Sequence, residues 1–405
     1  MTSGAGSARP AAVVFIFITI LLDMLSIGMI VPVLPRLVVE FKGGDTAAAA
    51  AIYGVFGTAW ALMQFLFSPI QGALSDRFGR RPVILASNLG LGLDYVLMAL
   101  APNLVWLFIG RVISGITAAS VSTGFAYIAD ITPPERRAAS FGRIGIAFGV
   151  GFIVGPALGG VLGGISPRLP FWVAAAFSLA NACYGFFILP ESLPADRRAP
   201  FSWRRANPIG SLVLLRSHAE LLSLAAVHVL SQLAHAALPA VIVLYVSYRY
   251  GWNETQTGLM LAGVGLCTAA VQGGLIGRVV RRFGERATLL AGLLCGAVAF
   301  VVMGLAETGL WYWVSVPVMA LWGLANPALQ GLASKRVTPN EQGQLQGALG
   351  SLQGIANLIG PTLFTGLFAT FIAGYRDWQL PGAPFLMAAL LLLLAAAVGW
   401  RTARG

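Results

Sequence analysis

The chain has 405 residues, 57% hydrophobic and only 10% charged, with a formal net charge of +11 and a mean hydropathy of +0.80. Soluble globular chains carry about 25% charged residues, so a soluble fold would leave most of these apolar stretches without a core to enter. The basic balance does not point to nucleic acid, because the cations sit in the short segments between apolar stretches.

A spanning helix needs roughly 20 mainly apolar residues. In chain order the pattern predicts spans at 12–35, 50–73, 84–102, 104–128, 140–164, 170–189, 220–247, 256–277, 288–306, 311–333, 343–371 and 382–400, twelve in all. The leading MTSGAGSARP is short and polar, and no small-residue cleavage site follows the first apolar run, so that run reads as a retained helix. With the N-terminus placed in the cytoplasm, only Arg36, Lys42, Arg168, Arg249 and Arg376 fall outside, Arg111 falls within a span, and the other twenty of the 26 Lys and Arg fall inside. That bias predicts both termini in the cytoplasm of a multi-pass membrane protein. Cys183, Cys267 and Cys295 lie within predicted spans and read as small packing residues, with no disulfide framework or metal site.

An offset of 205 residues aligns two distant blocks. It carries Gly72, Arg77, Phe78, Gly79, Arg81 and Leu85 of GALSDRFGRRPVIL onto Gly277, Arg282, Phe283, Gly284, Arg286 and Leu290. It also carries Gly142, Gly145, Gly149, Gly155 and Pro156 onto Gly347, Gly350, Gly354, Gly360 and Pro361. The expected fold is therefore an all-α membrane protein of two six-helix pseudo-repeats, 1–189 and 219–405, joined by an Arg- and Pro-rich cytoplasmic linker, 190–218. Duplicated folds of this kind bind substrate near the midplane and rock one half against the other. The repeat is imperfect where charge matters, because Asp76 becomes Arg281 and Arg80 becomes Glu285.

Within this pattern GALSDRFGRRP resembles the cytoplasmic signature of the major facilitator superfamily. FIGRVISGITAAS (108–120) resembles the fourth-helix Arg motif of its proton-coupled members, and FGVGFIVGPALGG (148–160) resembles the fifth-helix antiporter motif. With LLDMLSIGMIVPVLP (21–35), LDY (93–95), YGWNETQTGLMLAGVGL (250–266) and PALQG (327–331), the chain resembles twelve-helix drug/proton antiporters of the tetracycline efflux family. The resemblance implies export of a tetracycline-like drug in exchange for protons, with alternating access, no resident cofactor, and a substrate that can be a magnesium chelate. It carries Asp23, Gln64, Asp76, Arg80, Ser87, Asp94, Arg111 and Gln272 onto positions that matter in such antiporters. Two departures stand out: the family's eighth-helix His falls on Thr268, and its ninth-helix Asp falls on Gly296.

Only Asp23, Asp94 and Arg111 are charged and deep in predicted spans, and ionisable groups at that depth are functional candidates by default. At 1.5 Å per residue, Asp94 and Arg111 lie roughly 10–12 Å below the outer surface, on one level, with Asp23 somewhat deeper. An Asp whose exposure and Arg contact change during a cycle can take a proton on one side and release it on the other. The rival role for all three is an ion pair that fixes helix packing.

For gating, Asp76 is expected near a helix N-terminus, where the macrodipole favours an anion. Arg77, Arg80 and Arg81 are expected to pair with acids such as Asp130, within the turn bounded by Gly72 and Gly79. Gly155 and Pro156 in the glycine-rich fifth span suit a sliding seam between the halves. In the second half His235, Gln272, Asn326, Gln330 and Asn357 are intramembrane polar groups suited to a polyoxygenated ligand, while His218 and His228 read as interfacial or structural. A proton-coupled symporter is the rival function. An intramembrane enzyme is disfavoured because the two deep Asp residues stand far apart in sequence, and a channel because no re-entrant filter breaks the helical pattern. No nucleotide-binding signature appears, and the expected partners are a small molecule, protons and the bilayer, with the chain acting as a monomer.

Overall fold

The computed structural model describes residues 10–118, 120–203, 207, 210–217, 219–338, 341–374, 378 and 380–402. His218 lies outside them. In order, the α-helices are α1 (Pro10–Ile30), α2 (Leu34–Phe41), α3 (Thr46–Phe78), α4 (Arg80–Leu100), α5 (Leu104–Thr117), α6 (Ser120–Ile131), α7 (Pro134–Ile165) and α8 (Leu169–Ile188). After the linker come α9 (Val213–Ser217), α10 (Ala219–Tyr250), α11 (Glu254–Gly274), α12 (Ile276–Leu305), α13 (Gly309–Leu321), α14 (Ala325–Ser334), α15 (Gln342–Ala373) and α16 (Ala383–Thr402). Eleven candidate spans among the described residues are long and apolar enough to cross a membrane. The expected span at 311–333 is not one helix: a single 3₁₀ turn, Trp322–Leu324, separates α13 from α14.

The packing divides into two units, one of Met1–Val33 with Leu62–Asn207 and the other of Leu34–Ala61 with Pro208–Gly405. In the first unit α7 faces α1 with Gly151, Gly155 and Gly159, spaced one turn apart. A Cβ at Gly155 would lie 2.9 Å from Gly28 Cα, and one at Gly151 would lie 2.4 Å from Met24 Cβ. About 100° around α7 from these glycines, Ile146, Val150, Val154 and Leu158 are exposed. Membrane helices lack a hydrophobic drive to associate and rely on such close backbone approach. Gly155 and Pro156, expected at a sliding seam, pack here against Gly28 inside the first unit. Phe15, Ile16, Ile20, Ile84, Tyr127 and Ile144 form the adjoining core.

In the second unit the outer part of α3 lies on α15. A Cβ at Gly57 would lie 2.8 Å from Pro361 Cβ, and Thr58 Oγ1 donates to Leu358 O at 3.1 Å and meets Thr362 Oγ1 at 2.8 Å. Arg36 pairs with Glu254 at 2.8 Å. Glu254 opens α11 behind a capping box in which Asn253 and Gln256 exchange side-chain and backbone hydrogen bonds.

Candidate transport site

The buried face of α4 carries Ile84, Ser87, Asn88, Leu91, Asp94, Tyr95 and Met98, a helical repeat of three and four residues. Asp94 is 1% exposed. Its polar neighbours across the α4–α5 contact are Arg111 and Ser114. Gly110 makes that contact possible, because a Cβ there would lie 2.5 Å from Met98 Cγ and 2.9 Å from Asp94 Oδ1. Arg111 Nη2 reaches Met98 Sδ at 3.5 Å. On α1, Thr19, Asp23 and Ser26 are buried on one face, with Asp23 2% exposed and Thr19 Oγ1 donating to Asn181 Oδ1 at 3.1 Å. Tyr95 stands within electrostatic reach of Asp94, Arg111 and Asp23 together. The three deep charges expected from the sequence therefore share one neighbourhood inside the first unit. Tyr95 completes it; the sequence showed it only as part of the LDY motif, with no role of its own.

Of the other first-half candidates, Ser87 is buried on the same face of α4, while Gln64 is half-buried on α3. A neighbouring glutamine that the sequence reading passed over has a defined task. Gln71 Nε2 donates to the carbonyl of Ile116, where the fourth span is interrupted between α5 and α6 and Ala118 leaves helical geometry at φ −73°, ψ 26°.

The second unit repeats this arrangement. Shifting Thr117 and Ala118 by 205 residues gives Trp322 and Gly323, the site of the 3₁₀ turn. Gln272, again from the second span of its half, lies beside that turn, its Nε2 3.7 Å from where a Gly323 Cβ would stand. His235, exposed on its own unit, sets its ring 5.6 Å from that of Trp322. Asn326 and Gln330 follow on α14, one turn apart, the first exposed and the second half-buried, and Asn357 is half-buried on α15. His228 is buried and contacts Leu349 O at 3.2 Å, as a structural histidine does.

The two family departures have physical counterparts. Thr268 Oγ1 donates back to Val264 O at 2.8 Å. Gly296 is pressed against Trp322 and Leu392, where a Cβ would lie 2.8 Å from Trp322 Cγ and 2.7 Å from Leu392 Cδ1. Trp322 occupies the ground a side chain at 296 would need.

At the basic end of the first unit Arg80 bonds Asp130 at 3.0 Å through Nε and Asp76 at 2.5 Å through Nη1. The other expected arginine pairings are not present among the described residues: Arg77 lies over the Phe78 ring and Arg81 donates to Phe186 O. The carboxylate at the N-terminus of α4 is that of Glu191, not Asp76. Its oxygens accept from Arg80 N at 2.8 Å and Arg81 N at 3.3 Å. Gly79 makes room for it, with φ at +109° and no Cβ to meet Glu191 Oε2.

The Major Facilitator Superfamily model matches residues 16–361. The chain belongs to that superfamily. It is 39% identical to the class C tetracycline resistance protein of Escherichia coli over 95% of both chains. It is 38% identical to the class D tetracycline resistance protein of Salmonella ordonez over 88% of this chain and 89% of that one. The crystal structure of the human organic anion transporter MFSD10 aligns with a TM-score of 0.71 at 25% identity, covering 98% of this chain and 100% of the other.

Proposed function

We propose that the chain is a proton-coupled antiporter that exports a tetracycline-like drug by alternating access. The carrying observation is the buried carboxyl of Asp94, one α4–α5 contact away from Arg111 and held in range of Asp23 through Tyr95. Burial favours the neutral acid and an adjacent guanidinium favours the carboxylate, so a change in either moves a proton. A protonated carboxyl no longer holds a cationic or magnesium-chelated drug, and the two exchange by competition. Asp23, Asp94 and Arg111 carry the proton. Gln64, Ser87, His235, Gln272, Asn326, Gln330 and Asn357 supply hydrogen bonds to the drug, and the turn from Gly72 to Arg81 with Asp130, Gly155 and Pro156 changes partners during gating. The protein works as a monomer in a bacterial inner membrane with both termini cytoplasmic. It needs no cofactor, catalyses no covalent chemistry and moves the drug at the expense of the proton gradient.

The test uses inverted membrane vesicles with an acidified lumen and a pH-sensitive dye. Proton leakage on adding tetracycline with magnesium, lost in Asp94→Asn and in Asp23→Asn proteins that still fold, is the expected result. Full exchange by Asp94→Asn overturns the role of that carboxyl. A second reading, export of a different drug on the same machinery, is favoured by the crowding of Gly296 against Trp322. It predicts silence to tetracycline and a response to a cationic dye or a neutral phenicol.

A further inference from the structure

The 205-residue repeat duplicates a contact between an arginine and the end of the last span of its half. In the first unit Arg81 extends to the last turn of α8, where Nη2 donates to Phe186 O at 2.6 Å and Cζ lies 5.9 Å from the Phe186 ring. In the second unit its counterpart Arg286 extends to the last turn of α16, where Nη2 donates to Trp400 O at 3.2 Å and Cζ lies 5.4 Å from the Trp400 ring. Each pair is flanked by a second one, Arg77 over Phe78 at 5.0 Å and Arg282 over Phe283 at 5.7 Å. The rings are exposed, Phe186 by 62% and Trp400 by 51%.

Among the described residues none of these four guanidiniums pairs with a carboxylate, whereas their neighbours Arg80 and Glu285 are both in ion pairs. Position 80 or 285 turns to a partner within its own unit, and position 81 or 286 turns to the end of the last span. The carbonyl bond fixes each guanidinium and leaves its remaining N–H donors uncommitted. A fixed planar fork suits a phosphate, which it can bind through two parallel hydrogen bonds. An exposed ring at the end of a membrane span suits the headgroup level of a bilayer.

We propose that each half carries a seat for one anionic phospholipid, its phosphodiester on Arg81 or Arg286 and its upper acyl chain against Phe186 or Trp400. The occupant is a lipid rather than a soluble phosphate because every guanidinium of the set lies over an exposed ring, a surface that a free ion would leave wet. The second seat binds more tightly. Trp is a better cation–π face than Phe, and Glu191 stands at the first seat on Arg81 N.

The test is native mass spectrometry of the whole purified protein, titrated with phosphatidylglycerol or phosphatidylcholine in detergent. Two tightly held phosphatidylglycerol molecules are expected, displaced neither by phosphatidylcholine nor by excess inorganic phosphate or glycerol phosphate. Arg81→Gln and Arg286→Gln should each weaken one of the two, roughly fivefold for one lost surface charge, with the larger loss at Arg286. Trp400→Leu should weaken the second seat with the charge intact. Equal retention of phosphatidylcholine, displacement by glycerol phosphate, or wild-type retention by Arg81→Gln/Arg286→Gln overturns the proposal. If that double variant fails to stay monodisperse, wild-type retention by both Arg286→Gln and Trp400→Leu overturns the second seat.

Discussion

Lys335 pairs with Glu285 at 2.7 Å, and the pair stands 205 residues beyond Asp130 and Arg80, which pair at 3.0 Å. Both halves thus hold an ion pair between the start of their third span and the end of their fourth, with the signs exchanged. The geometry of the repeat has outlived the identity of its charges.

The exchange makes the second pair testable by reversal. Lys335 is 70% exposed, and exposed pairs contribute only about 0–1 kcal/mol to stability. Lys335→Glu should therefore leave the melting temperature nearly unchanged while slowing drug-dependent proton release in vesicles. Glu285→Lys combined with Lys335→Glu should restore the rate. A double variant no faster than the single one would show that attraction between the two side chains is not what matters.

The paired turn glycines separate backbone strain from packing. Gly79 and Gly284 share an extended, positive-φ conformation, at φ 109°, ψ 162° and φ 77°, ψ 165°, a region held almost only by glycine at a cost of about 1–3 kcal/mol for other residues. A Cβ at Gly284 meets nothing within 4 Å, but one at Gly79 would lie 2.2 Å from Glu191 Oε2. Gly79→Ala should lower the melting temperature more than Gly284→Ala does. Adding Glu191→Ala should narrow the gap, although it also removes the acceptor for Arg80 N. Equal losses without that addition would remove Glu191 from the account.

Most of the architecture was legible because apolar run length and a constant offset are properties of the sequence alone. Asp23, Asp94 and Arg111 were legible because charge is rare at that depth. What escaped was whatever depends on a neighbour in space. The break at Trp322–Leu324 lies inside a stretch whose overall hydropathy reads as one span despite Gly323 and Pro327, and Glu191 reaches the N-terminus of α4 from beyond the end of α8. Lys335 could have been found by carrying Asp130 forward through the same offset. The roles of Arg77 and Arg81 were misjudged because an arginine beside an aspartate reads as an ion pair until the aromatic rings around it are seen.

Gln71 provides a test of the fourth-span break. Its amide serves the Ile116 carbonyl, next to the interruption of the fourth span that follows Arg111 and Ser114. Gln71→Leu leaves a buried acceptor unpaired, a loss of about 1–3 kcal/mol in general and nearer 0.6 kcal/mol where membrane helices find substitute partners. The expected result is a modest fall in melting temperature with a larger fall in exchange rate, partly recovered by Gln71→Asn. A rate that falls only as far as folded yield falls would reduce Gln71 to a packing residue.

Restoring the family's ninth-helix carboxylate should fail on packing grounds. At Gly296 even a Cβ would lie 2.8 Å from Trp322 and 2.7 Å from Leu392, and overpacking of this kind costs about 1–3 kcal/mol before any charge is buried. Gly296→Asp should therefore lower the yield of folded protein without raising proton exchange per molecule. Gly296→Ala, which adds bulk without charge, should show part of the same loss. Replacing Trp322 by Ala alongside Gly296→Asp frees the space and should recover folded protein, although it removes the ring that faces His235 at 5.6 Å. If Gly296→Asp alone folds normally and doubles as a working proton site, the second half can accept a carboxylate there. The argument that coupling rests on Asp23, Asp94 and Arg111 of the first half would then lose its structural basis.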